Sequence, residues 1–155
     1  MAPASKSQQG EYMASVVSAV PAADSASALR HFESSLTFET DCSDVHAALS
    51  REVDFVLIDV RTAELYARGH VPGAINIPHA KIIGSRMAHY PAGTLFVVYC
   101  SGPHCNGAQR GAIRLAQLGL AVKLMIGGMS GWLDEGFAVA RGAAAAPLKR
   151  PAAAG

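Results

Sequence analysis

The sequence predicts an α/β domain: a doubly wound, mostly parallel central sheet of about five strands flanked by helices. Three observations lead there. Phe55–Val60 (FVLIDV) and Leu95–Cys100 (LFVVYC) are continuous apolar runs without polar alternation, as expected for strands buried on both faces. Helical patterns separate the strand patterns at intervals of roughly 20–30 residues. The chain of 155 residues is 50% hydrophobic and 16% charged, so one domain with a substantial core is expected. With 6% aromatics, that core must be built mainly from Ala, Val, Leu and Ile.

The elements follow in order. Residues 1–24 read as a flexible extension rich in Ser, Ala and Gln, with a short extended piece at Val16–Val20. Asp24 or Ser25 caps a helix to about Ser34, and Leu36–Glu39 alternates like a short strand. Residues 25–39 therefore form a helix and strand ahead of the main domain, 40–140. Ser43 is the expected cap of a second helix, in which Val45, Ala48 and Leu49 share a face. FVLIDV is the first buried strand. Thr62 caps the helix AELYAR, which stops at Gly69. Val71-Pro72-Gly73 is a turn, and Ala74–Ile77 a short strand. His79–Tyr90 is expected to be helical despite Gly84, ending at Pro91-Ala92-Gly93. LFVVYC is the second strong strand, and Asn106–Leu118 a helix ending at Gly119. Val122–Ile126 is the last strand, closed by Gly127-Gly128. A short helix around Ser130–Glu135 carries Trp132, the one tryptophan. Residues 141–155, rich in Ala and Pro, read as a disordered tail.

Composition also limits function. The 13 Lys and Arg against 12 Asp and Glu leave a net charge of +1, which argues against a nucleic-acid partner needing a basic face. No apolar run reaches the ~20 residues of a membrane span. Tyr12–Ala23 (YMASVVSAVPAA) faintly resembles a signal-peptide core, but Glu11 and two serines count against it. Three cysteines, Cys42, Cys100 and Cys105, cannot complete a disulfide framework. They point to a reducing, cytoplasmic setting or to a reactive thiol.

Ligands of parallel sheets bind beyond the carboxyl ends of the strands. That rule singles out Asp59-Val60-Arg61, Ile77-Pro78-His79, the loop after Cys100, and Gly127-Gly128. Cys100 ends its strand, Ser101-Gly102-Pro103-His104-Cys105 follows, and a helix begins near Asn106. Loop amides turned inward and the positive helix end would stabilise a thiolate and an anion at the same place. Ala108 and Ala112 let that helix approach the sheet. Cys42 and Cys105 read instead as small packing residues. Cys100 and Cys105 are not a CxxC pair, although a transient disulfide between them under oxidation is compatible with the spacing.

The motifs DVR (59–61), GHVPGAINIPH (69–79), VVYCSGPHCNGAQRGAIRLAQLG (97–119) and GGMSGWLDEGF (127–137), in that order, resemble the single-domain rhodaneses, a sulfurtransferase family. The resemblance spans residues 40–137 and implies a rhodanese-like doubly wound fold. It implies that Cys100 takes the sulfane sulfur of a donor such as thiosulfate and holds it as a persulfide. A thiophilic acceptor, cyanide or a thiol, then removes it. It implies no metal and no organic cofactor. Partners would be a small sulfur-donor anion and a thiol acceptor, with no nucleic acid and no membrane. The substrate loop would be Ser101, Gly102, Pro103, His104, Cys105 and Asn106, with main-chain amides holding the donor. Asp59 and Arg61 would support the site, and salt-bridging, for instance of Arg61 with Glu64, is the favoured role. His70 would be a hydrogen-bonding turn residue and Trp132 core packing. The apolar face of the N-terminal helix would pack on the domain or on a second subunit, giving a homodimer.

The loop departs from common versions of the family. Ser101 and His104 stand where thiosulfate-preferring loops often carry Arg or Lys, and Arg110 lies one turn into the helix. Donor recognition would then rest on amides and the helix dipole, with His104 adding charge at low pH. A cysteine phosphatase would need an Arg six residues beyond the nucleophile, and Asn106 and Gly107 stand there. A zinc site built on Cys100, His104 and Cys105 would lack a tetrahedral ligand set. The remaining alternative is a non-catalytic rhodanese-like module for binding or regulation. Such modules usually lose the cysteine that is retained here.

Overall fold

The computed structural model describes residues 13–143. The expectations for residues 1–12 and 144–155 lie outside them. The chain divides into two compact units at Glu33/Ser34.

In the first unit, the extended piece expected at Val16–Val20 is a turn, closed by the Ala19 amide donating to Ser15 O at 2.9 Å. Helix α1, Ser25–Phe38, begins in this unit and continues past its boundary. Asp24 caps it, accepting from the Ser27 amide at 2.9 Å. The helix thus absorbs most of the strand expected at Leu36–Glu39. No Gly or Pro stands between Ser34 and Phe38 to stop it, and Leu29, Phe32 and Leu36 keep a helical spacing.

In the second unit, five parallel strands form one sheet in the order β1-β5-β4-β2-β3: β1 Glu39–Thr40, β2 Phe55–Asp59, β3 Ile75–Asn76, β4 Leu95–Tyr99 and β5 Ala121–Met125. The central pairs are in register from Phe55 opposite Leu95 to Asp59 opposite Tyr99, and from Leu95 opposite Ala121 to Val98 opposite Leu124. Asp59 and Cys100 therefore emerge at the same edge, where parallel sheets bind ligands.

Side chains alternate between two cores. Leu57, Val97 and Tyr99 point into one, with Cys42, Val45, Tyr66, Met125 and Trp132. Ile58, Val60, Phe96, Val98 and Cys100 point into the other, with Ile82, Met87, Ala108 and Leu115. Burial on both faces explains why neither central strand shows polar alternation.

The helices correct several boundaries. Helix α2 is Cys42–Leu49, and Asp41, not Ser43, is its cap, accepting from the Asp44 amide at 2.8 Å. Starting earlier lets Cys42 and Val45 face inward together. Helix α3, Ala63–Arg68, is capped by Thr62 and closed at Gly69, as expected. The helix expected over His79–Tyr90 is instead a 3-10 turn at His79–Lys81 and one α-turn, α4, at Gly84–Met87. Ile82 and Ile83 between them adopt extended backbone, where β-branched side chains are comfortable. Helix α5 is Gly107–Gln117, with Gly107, Ala108, Gly111 and Leu115 buried. Helix α6, Gly128–Asp134, begins two residues before the expected start and buries Trp132.

Candidate active site

Cys100 follows β4 directly, and its loop runs to the start of α5. The thiol is 6% exposed and faces a cavity of about 180 Å³ lined by Gly102, Pro103, Cys105, Ala108, Gln109 and residues 124–128. The backbone holds this loop tightly. The Met129 amide donates to Cys100 O at 2.9 Å, and the Ser130 amide to Ser101 O at 2.9 Å. The Ser130 hydroxyl donates to the same Ser101 oxygen at 2.7 Å. Inside the loop, the Cys105 amide donates to Gly102 O at 3.1 Å.

Close approach dictates two glycines. A Cβ on Gly107 would lie 2.7 Å from Cys100 Sγ, below any real carbon–sulfur contact. Gly128 has φ +58°, and a Cβ there would press on the Cys100 carbonyl and come within 3.0 Å of the Gly102 amide nitrogen. With both side chains absent, the first turn of α5 closes on the Cys100 sulfur and the start of α6 on the Cys100 carbonyl. The Ser101 and Gly107 amides act on the Cys100 thiol to lower its pKa. The positive end of α5 adds to their effect.

The two loop thiols titrate in opposite directions. Burial pushes Cys100 up, and its hydrogen bond to Cys105 pushes it further, against the lowering by the Ser101 and Gly107 amides. Cys105, half-exposed, is lowered, chiefly by the same hydrogen bond. Cys105 is nonetheless a packing residue as well, partly buried against the second core. Cys42 is another: it is buried, and its thiol donates to the Ile126 and Gly128 carbonyls at 3.6 Å. Burial raises its pKa.

Asp59 and Arg61 meet each other rather than Glu64. Arg61 Nη2 lies 2.6 Å from Asp59 Oδ2, and Arg61 Nε donates to Oδ1 at 3.0 Å. The two-residue spacing at the end of β2 folds the guanidinium back onto the carboxylate, and the Arg61 amide also donates to Oδ1 at 3.0 Å. Burial opposes the guanidinium charge, but the Asp59 carboxylate outweighs it and holds Arg61 above its ordinary pKa. Arg61 Nη2 also donates to Gly69 O at 2.6 Å.

Tyr99 completes the network. Its hydroxyl donates to Asp59 Oδ2 at 2.9 Å and accepts from the Val71 amide at 3.0 Å. Burial first, and then the Asp59 charge, push its pKa far up. His70 is buried in the turn, its Nδ1 at 2.8 Å from Tyr66 O and its ring stacked on Tyr66. Trp132 packs in the core and donates from Nε1 to Ala138 O at 2.8 Å.

Of the expected loop residues, Gly102, Pro103 and Cys105 line the cavity beside Cys100. Ser101 contributes its amide. His104 is exposed and not among the lining residues, and Asn106 is exposed, accepting from Arg110 Nε at 3.1 Å. Ser130 and Tyr99 went unrecognised in the sequence. Tyr99 had a signal: a Tyr within a fully buried strand requires a partner for its hydroxyl. Ser130 had none stronger than its place in GGMSGW. Among the described residues, no group of three His, Cys, Asp or Glu side chains could hold a metal ion, and no helix is long and apolar enough to cross a membrane.

Comparison with known proteins supports the fold. A protein of Bacillus halodurans, BH2092, superposes with a TM-score of 0.73 at 36% identity, covering 76% of this chain and 87% of that one. A thiosulfate sulfurtransferase from Pseudomonas aeruginosa shares the fold, with a TM-score of 0.59 at 24% identity over 74% of this chain and 21% of that one. The HTH-type transcriptional regulator Rv0324 of Mycobacterium tuberculosis is 41% identical over 91 residues, or 58% of this chain. Those residues span only 39% of the regulator's length. The family model of the rhodanese-like domain matches residues 42–135. The chain therefore belongs to the rhodanese-like domain family.

Proposed function

We propose that the protein is a sulfurtransferase that carries a sulfane sulfur as a persulfide on Cys100. The observation that supports this best is Cys100 lining a cavity at the start of α5, where the Ser101 and Gly107 amides favour its thiolate. The Cys100 thiol ionises, its proton passing to solvent. The Cys100 thiolate attacks the outer sulfur of thiosulfate, the sulfur–sulfur bond of the donor breaks, and sulfite leaves with the electron pair. Cyanide or a thiol then attacks the outer sulfur of the persulfide and restores the thiolate. The anionic donor and the persulfide are held by backbone dipoles, which suits a loop without Lys or Arg. A reducing, cytoplasmic compartment would keep the three thiols available.

The test is intact-mass measurement after thiosulfate treatment. Early in the reaction an adduct of about 32 Da on Cys100 that cyanide removes is expected, and Cys100→Ser should take up none. Equal uptake by that variant would refute the mechanism.

A second reading, a non-catalytic regulatory module, is favoured by one observation: the 41%-identical stretch belongs to a protein named as a transcriptional regulator. It would prevail if the wild type accepted no sulfur from thiosulfate or from any other persulfide donor.

A further inference from the structure

Two thiols, not one, converge on the N-terminus of α5. The position of a Gly107 Cβ lies 2.7 Å from Cys100 Sγ and 3.5 Å from Cys105 Sγ. The missing side chain therefore leaves one small space that both sulfurs border. The Ser101 and Gly107 amides lower the pKa of both thiols. Cys105 is half-exposed and lines the same cavity as Cys100. The carbonyl of Gly102 fixes the Cys105 backbone at 3.1 Å, so the pairing is built into the loop.

We propose that Cys105 is a resolving thiol: it attacks the persulfide at Cys100 Sγ, closes a Cys100–Cys105 disulfide and expels the carried sulfur as hydrosulfide. This rests on the persulfide reading above and gives it a second outcome. In the first half-reaction the outer sulfur of thiosulfate has become bound to Cys100 Sγ. In the second, the Cys105 sulfur forms a bond to Cys100 Sγ, the bond between Cys100 Sγ and the outer sulfur breaks, and the outer sulfur leaves with the electron pair and the Cys105 proton. No external oxidant is consumed, because the sulfane sulfur is itself reduced to sulfide. The disulfide returns to two thiols by exchange with a small thiol or dithiol reductant. The net reaction converts thiosulfate and two thiol equivalents into sulfite, sulfide and a disulfide.

Choice between the two fates follows from access. An acceptor that enters the cavity intercepts the outer sulfur. Without one, Cys105 is already adjacent, and the persulfide is cleared rather than left open to further oxidation. The released product is then sulfide instead of a transferred sulfur.

The full chain and Cys105→Ser should be treated anaerobically with thiosulfate alone, without cyanide or thiol. Sulfide is assayed and the proteins are alkylated and mapped by mass spectrometry. The wild type should release about one sulfide per chain and become about 2 Da lighter in the peptide carrying both cysteines. Cys105→Ser should keep an adduct of about 32 Da on Cys100 and release sulfide at least ~10-fold more slowly. A wild type that keeps the adduct on Cys100 as long as Cys105→Ser does would overturn resolution and leave the sulfurtransferase reading intact. An adduct found on Cys105 would overturn it in favour of a relay. Absence of sulfur on either protein, with no sulfide, would overturn both readings.

Discussion

Gly107 and Cys100 are in contact through an atom that glycine lacks: a Cβ on Gly107 would stand 2.7 Å from Cys100 Sγ. The sulfur approaches the first turn of α5 this closely only because nothing intervenes. Gly107→Ala should push the thiol away from both amides. Displacements of an ångström at a reacting atom can cost about 100-fold in rate. We expect sulfur uptake from thiosulfate to fall by about that factor, with a stability loss of about 1–3 kcal/mol from overpacking. Stopped-flow sulfite release and urea unfolding measure the two effects. Uptake within about 3-fold of wild type would show that the amides do not hold the sulfur.

The Asp59–Arg61 pair is buried beside this loop, with Asp59 fully enclosed. Removing one partner leaves the other charge uncompensated, at about 3–5 kcal/mol. Asp59→Asn should cost that much by chemical denaturation. Tyr99→Phe should cost about 1–3 kcal/mol, because it strands the Val71 amide and removes one donor from Asp59 Oδ2, which keeps Arg61. The double variant should lose less than the two single losses added together, by more than about 0.5 kcal/mol. Simple additivity would mean that the three residues do not act as one network.

Ser130 ties α6 to the loop through two donors to one carbonyl, the amide at 2.9 Å and the hydroxyl at 2.7 Å. Ser130→Ala removes only the hydroxyl. The expected loss is about 1 kcal/mol of stability. Faster amide hydrogen exchange should be confined to residues 100–105. Exchange unchanged there would show that the backbone donor is sufficient.

What the sequence made legible depends on how local the cause is. Thr62 caps α3 from three residues away, and FVLIDV and LFVVYC carry their own burial pattern, so both were readable. The break after His79 was not, because Gly84 tolerates a helix and only tertiary packing places Ile82 in the core at 2% exposure. Arg61 had carboxylates at both 59 and 64. The choice fell to Asp59 because the end of β2 buries it, which spacing cannot show. Cys100 was legible as a thiol between a strand and a helix. Its relation to Cys105 was not, since five residues of loop do not state which way two sulfurs face.

That relation predicts an inverted order of reactivity. Burial and the hydrogen bond to Cys105 raise Cys100, while the same bond lowers Cys105. A thiol alkylates as its thiolate, so a lowered pKa gives reactivity at lower pH and a raised one delays it. Iodoacetamide near neutral pH should therefore label Cys105 before Cys100, although Cys100 is the proposed sulfur carrier. Cys105→Ala removes the hydrogen bond that raises Cys100, while the two amides that lower it remain. The alkylation profile of Cys100 in that variant should move to lower pH. Peptide mapping across a pH series reads both effects. Preferential labelling of Cys100 in the wild type, or a Cys100 profile that stays in place without Cys105, would show that the two thiols titrate independently.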